Sequence, residues 1–145
     1  MSLPLPHPGM VIGYRYLWNA EAQAGHQEGR KDRPCVVVLA VTQAQGGPVV
    51  TVAPITHAAP RNPDTAVEVP LPTKRRLGLD AERSWVVVSE VNRFVWPGPD
   101  LMPISRAAPG RYDYGVLPPR LFAQIVERLL GVAQSRKART VVRTD

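Results

Sequence analysis

Apolar positions along the chain gather into short runs punctuated by proline and glycine, and the sharpest pair lies between Lys31 and His57, KDRPCVVVLAVTQAQGGPVVTVAPITH. Cys35 to Val41 is too short for a solvated helix and too rich in valine to favour one, so the pattern predicts a buried strand. Val49 to Ile55 is its partner, and the Gln-Ala-Gln-Gly-Gly segment between them supplies the backbone freedom of a hairpin. An antiparallel hairpin brings Arg33, at one end, beside Thr56, at the other. A fixed cation next to a hydroxyl suits an anionic ligand such as a phosphate.

The remaining pattern fills in a mainly β chain closed by a helix. Met10 to Trp18 alternates as a first strand, whose Tyr14, Tyr16 and Trp18 serve either as core or as a platform for stacked bases. Asn19 to Asp32 has no period and reads as a long loop carrying Glu21, His26, Glu28, Arg30 and Lys31, a length that is often functional. Pro34 restricts Arg33 to an extended backbone at the mouth of its strand. Ala66 to Leu71 is a short strand interrupted by Pro70, which places it at an edge. Lys74, Arg75 and Arg76 form the densest basic cluster, read as a solvated loop or a phosphate contact.

Ser84 to Val91 reads as one buried strand with Glu90 near its end, and a carboxylate there needs a mate, for which Arg33 and Arg93 are the candidates. Its role is a structural ion pair or a part in binding or catalysis. Phe94 to Trp96 leads into a turn-rich connection. Pro118 and Pro119 start a helix in which Leu121, Ile125 and Leu129, flanked by Phe122, Val126 and Leu130, make one wide apolar face. Arg136, Lys137, Arg139 and Arg143 follow. The helix's negative end accounts for the nearest of them, and Arg143 is expected in a frayed tail.

At 145 residues with 44% hydrophobic content, the composition fits one globular domain, 1–145, with a core at about 9–132, a lead at 1–8 and a basic tail at 136–145. The 16 prolines are scattered between apolar runs, as expected for short strands joined by loops. One cysteine, Cys35, permits no intrachain disulfide and suits a reducing cytoplasm. It reads as a small core residue. No apolar stretch approaches the ~20 residues that span a bilayer, and the opening MSLPLPHPG lacks the features of a signal peptide. His7, His26 and His57 have no paired spacing and no cysteine partner, so no metal site is predicted. Eighteen basic against 12 acidic residues leave a net charge of +6, which favours a polyanionic partner, nucleic acid before membrane, with solubility as the plain alternative.

Taken in order, several of these stretches resemble the MazF/PemK toxins, the bacterial mRNA interferases. They are Pro8-Gly9-Met10-Val11-Ile12, the loop ending Glu28-Gly29-Arg30-Lys31-Asp32-Arg33-Pro34 before a valine run, Val52-Ala53-Pro54-Ile55-Thr56, Val87-Val88-Ser89-Glu90, and the apolar C-terminal helix. The resemblance covers roughly Gly9 to Val132. It implies a small SH3-like barrel with a C-terminal helix, a homodimer, an antitoxin partner, and cleavage of single-stranded RNA with no cofactor. Arg33 falls on the family's catalytic arginine, Thr56 on its active-site hydroxyl, and Glu90 where many members carry aspartate. Glu28 matches an acidic residue beside the RNA groove, and Lys31, His57, Lys74, Arg75 and Arg93 are the other expected RNA contacts. Attack of a ribose 2′-hydroxyl on the adjacent phosphate gathers negative charge that Arg33 stabilises, while Thr56 donates to the same phosphate. Glu28, Glu90, His26 and His57 are the candidates for the general base. Val88 stands where some members use a second arginine, and Asp32 precedes the catalytic position. The same barrel acting as an RNA- or protein-binding module without efficient catalysis is the alternative.

Overall fold

The computed structural model describes residues 3–27, 29, 31–135 and 139–143. Its centre is the predicted hairpin: β2 (Arg33–Val41) and β3 (Val49–Thr56) pair antiparallel from Cys35 with Pro54 to Val41 with Val49, with a register shift between Val37 and Leu39. The continuous valine run of β2 follows from burial on both faces. Val36 and Val38 enter one core cluster while Cys35 and Val37 enter the other. β1 (Met10–Tyr14) adds to the outer side of β2, and β7 (Asp113–Val116) to the outer side of β1.

On its other side β3 divides its pairing. Val49 to Val52 pair with β6 (Glu90–Val95), whereas Ile55 and Thr56 pair with β5 (Trp85–Val87), which in turn carries β4 (Ala66–Glu68). The stretch expected as one strand, Ser84 to Val91, is therefore two short strands on different parts of β3. The eight-stranded sheet runs β4-β5-β3-β2-β1-β7, with β6 branching from β3, and no pairing among the described residues joins its ends. The mainly β class with a C-terminal helix holds. The closed barrel does not.

Three further expectations change. The first strand stops at Tyr14, and the loop after it opens with a short helix, α1 (Asn19–Gln23), whose Glu21 carboxylate accepts from the Trp18 amide at 3.0 Å. The basic cluster lies on a helix, α2 (Leu71–Leu77), with proline in its first turn and Gly78 at φ 74° as its left-handed cap. The expected strand ends at Glu68 instead of Leu71.

Beyond the last helix, the described residues 139–143 are not frayed. β8 (Arg139–Val142) pairs in parallel with β6, and Arg143 is buried. Residues 136–138, 144 and 145 of the expected tail lie outside the described residues.

α3 (Pro119–Gln134) covers one face of the sheet. Leu121, Ile125 and Val132 pack against Val11, Val36, Ala53, Ile55 and Val86, whereas Leu130 stands 56% exposed on the far side. The second cluster, on the opposite face, is aromatic: Tyr14 stacks on Phe94 at 4.5 Å, with Tyr16, Trp96 and Leu101 around them. Tyr14 and Tyr16 are core, so the platform reading is left to Trp18 alone, which is partly buried.

Candidate functional site

Arg33 stands at the mouth of β2, on the sheet edge of the hairpin's open end, and lines three adjoining cavities of about 400, 300 and 280 Å³. Its guanidinium carbon sits 4.9 Å over the Trp18 ring, and Tyr16 meets the same indole edge-on at 5.0 Å. Its one hydrogen bond among the described residues is a long one, from Nη1 to the Ile55 carbonyl at 3.4 Å, while Nε has no partner. A guanidinium offers five N–H donors. Held by stacking and scarcely used in hydrogen bonds, this one keeps donors for an incoming anion.

The 400 Å³ cavity brings together more of the expected residues than any other. Lys31, Arg33, Thr56, His57 and Lys74 all line it, together with Asp80 and Ser84. Thr56 reaches it because β3 bends onto β5, pairing Thr56 with Trp85, and its Oγ1 accepts from the Ala58 amide at 3.2 Å. That bond uses a lone pair and leaves the hydroxyl proton for a ligand.

Opposite Arg33 the cavity wall is a chain of polar contacts built on the Lys74–Asp80 ion pair. Lys74, 2% exposed, donates to Asp80 Oδ1 at 2.5 Å, to Ser84 Oγ at 2.6 Å, and to the Glu82 carbonyl. Asp80 Oδ2 meets His57 Nε2 at 2.7 Å, and Glu82 Oε2 lies 3.0 Å from His57 Nδ1. Hydrogen bonding from Lys74 holds the Asp80 carboxyl below its ordinary range against desolvation, with a smaller contribution from His57. The ligand atoms of His57, Asp80 and Glu82 fall within 4.8 Å of one another, a grouping that the separation of the histidines concealed. The Lys74 ammonium on Asp80 already neutralises part of that charge, so Asp80 has its counter-ion within the protein.

Lys74 thus serves the wall of the cavity from inside and is not the solvated contact the sequence suggested. Arg75 and Arg76 on the same helix are exposed; Arg76 donates to the Val116 carbonyl at 2.9 Å, and neither lines the cavity. Arg93 is exposed on β6 opposite Thr51, five residues along β3 from Thr56, which places it about 16 Å from the cavity mouth. Glu28 lies outside the described residues.

Glu90 has other partners than those expected. Instead of Arg33 or Arg93, its Oε1 accepts from the Tyr16 hydroxyl at 3.1 Å and from the Asn19 amide at 2.8 Å. Burial pushes its pKa up, and these two bonds only partly oppose that. The carboxylate ties the start of α1 to β6 and so fixes the segment that presents Trp18 beneath Arg33. Asn92 does the same two residues on, its side chain accepting from Leu17 N at 2.9 Å and donating to Leu17 O at 2.8 Å. Gly29 lies so close to the Tyr16 carbonyl that any side chain would collide with it, which docks the long loop against the same segment.

Sequence reasoning missed Trp18 as the support of Arg33 and missed Asp80, Glu82 and Ser84 altogether. The signals were Pro72 and Gly78, which bracket α2 and return the chain over Lys74.

Residues 16–94 match the model of the family described as PemK-like, MazF-like toxin of type II toxin-antitoxin system. No curated protein sequence matches the chain. Among solved structures, the fold is similar to that in the crystal structure of MazE-MazF from Deinococcus radiodurans, with a TM-score of 0.52 at 16% identity, covering 90% of this chain and 98% of that one.

Proposed function

The chain belongs to the PemK-like, MazF-like toxins of type II toxin-antitoxin systems, and on that premise we propose that it is an endoribonuclease that cuts single-stranded RNA by 2′-hydroxyl attack, without a metal. The observation that carries this reading is the sparsely bonded guanidinium of Arg33 beside Thr56 in one open cavity. Phosphoryl transfer to the 2′-oxygen concentrates charge on the nonbridging oxygens, and a preorganised guanidinium lowers that barrier electrostatically. Thr56 donates its hydroxyl to the same phosphate. Arginine holds its proton too tightly to act as a base near neutrality, so Arg33 is assigned to charge stabilisation. The products are a 2′,3′-cyclic phosphate and a free 5′-hydroxyl.

Lys31, on the rim of two of the cavities that Arg33 lines, is assigned to the flanking phosphates. Exposed Arg75 and Arg93 add to the net charge of +6 that draws RNA in from a distance. Glu90 is assigned to the support of the Trp18 segment and not to the chemistry, because its carboxylate is committed to Tyr16 and Asn19. A cognate antitoxin is the expected partner: the Deinococcus MazF fold was solved together with MazE, and an acidic segment complements a net charge of +6. We assign the active form to a cytoplasmic homodimer, as the family resemblance implies.

Expression in a bacterium tests the reading. Growth arrest that disappears with Arg33→Ala, and in which cellular RNA is cut, supports the toxin. Arrest without RNA cutting, or indifferent growth with retained RNA binding, assigns the fold instead to a binding module.

A further inference from the structure

Building on the ribonuclease reading above, we propose that His57 is the group that takes the proton from the attacking ribose 2′-hydroxyl, with Asp80 as its positioning residue and buried Lys74 as the anchor of Asp80. His57 follows Thr56 directly and lines the cavity that holds Thr56 and Arg33. Asp80 is gripped from two sides, by Lys74 Nζ at 2.5 Å on one oxygen and by His57 Nε2 at 2.7 Å on the other. The anchor is itself immobile: Lys74 is 2% exposed and also bonded to Ser84 Oγ at 2.6 Å. A fixed carboxylate that accepts the Nε2 proton sets the tautomer, leaves the lone pair on Nδ1, and stabilises the imidazolium once Nδ1 is protonated.

Nδ1 meets Glu82 Oε2 at 3.0 Å, and the two carboxylates differ in freedom, since the Glu82 side chain is 72% exposed against 52% for Asp80, and no lysine among the described residues holds it. Glu82 swings into solvent and the 2′-hydroxyl takes its place at Nδ1. The charged groups facing the ring are Lys31, Asp32 and Arg33 from the start of β2, Lys74 from α2, and Asp80 and Glu82 from the α2–β5 connection.

Of the other candidate bases, Glu28 lies outside the described residues. Glu90 accepts from Tyr16 and the Asn19 amide and does not line the cavity. His26 does not line it either; Asp32, which does, is paired with Arg15 Nε at 3.0 Å, and Glu21, in the adjoining cavity, accepts from the Trp18 amide.

In the step itself the 2′-O–H proton passes to Nδ1 and the freed oxygen pair bonds to phosphorus. The P–O5′ bond breaks, O5′ takes a proton from water, and the imidazolium returns its proton to the hydroxide so formed. No electron is gained or lost overall.

The test is kcat/KM between about pH 5 and 9 on an RNA oligonucleotide spanning a cut mapped on a long transcript, for the unaltered protein, H57Q, D80N and R33A. A general base contributes ~10²–10⁴-fold, so H57Q is expected to fall by that factor and to lose the acid limb of the profile. D80N is expected to fall less and to shift that limb. H57A, checked for folding by its thermal melt, is expected to regain part of its rate in added imidazole. An H57Q protein that keeps both the rate and the acid limb while R33A is dead overturns the assignment and leaves the ribonuclease reading standing. Failure of the unaltered protein to cut any transcript overturns both.

Discussion

Arg143 and Asp100 form an ion pair at 2.9 Å, with side chains only 4% and 13% exposed, that fastens the last described residue of the chain to a loop 43 positions earlier. The guanidinium also donates to Asn92 Oδ1 at 3.1 Å and to the Arg15 carbonyl at 3.2 Å. Asn92 is the residue that brackets Leu17, so the end of the chain is wired to the segment that carries Trp18 and, through it, Arg33. A buried pair broken on one side leaves an uncompensated charge. Arg143→Ala or Asp100→Ala is therefore expected to cost about 3–5 kcal/mol, a fall in melting temperature on the order of 10 °C. Denaturant unfolding of each variant checks this, and losses below about 0.5 kcal/mol would show the pair to be dispensable.

Glu90 predicts an unusual pH dependence. Its folded pKa is raised by burial, so between the unfolded value and the higher folded one the native state holds the proton more firmly than the unfolded chain does. The group's contribution is thus most favourable at low pH and declines as pH rises through the folded pKa. Glu90→Gln keeps an oxygen acceptor for Tyr16 and the Asn19 amide without the charge. Relative to the parent, it is expected to gain stability at pH 7 and to lose that gain at pH 4. Melting curves at the two pH values decide the matter, and a Gln variant that is less stable at pH 7 than at pH 4, each measured against the parent, contradicts the account.

Trp18 is expected to matter to activity through Arg33. With the guanidinium 4.9 Å over the indole and held among the described residues by one long hydrogen bond, stacking fixes its direction. Trp18→Ala removes a contact worth about 1–2 kcal/mol, or roughly 5- to 30-fold in kcat/KM, while Trp18→Phe retains most of it. Steady-state cleavage by both variants checks the ordering. Equal rates for Ala and Trp would remove Trp18 from the site.

The parts legible in the sequence are those whose signals are local. The β2–β3 hairpin shows in a valine run broken at Gly46-Gly47, and α3 shows in its 3.6-residue period behind Pro118-Pro119. Arg33 and Thr56 follow from the hairpin, because pairing alone brings its open ends together. What stayed hidden depends on distant partners. Nothing in Ser84 to Val91 announces that its two halves pair with different parts of β3, and nothing near Arg143 announces Asp100 or a parallel strand. A solvated tail and a buried clamp have the same composition. Lys74 differs: a run of three basic residues suggests a solvated contact, while Pro72 and Gly78, which bracket its helix, are the weaker signal.

The most direct test of the central claim is incubation of the purified protein with several unrelated single-stranded transcripts in chelator, beside Arg33→Ala and Thr56→Ala, with the cut ends mapped. The account predicts discrete cuts that survive chelation, end in a 2′,3′-cyclic phosphate and a 5′-hydroxyl, and fall by at least about 100-fold in the arginine variant. Transcripts left intact by the unaltered protein, or cuts that persist undiminished without Arg33, would contradict it.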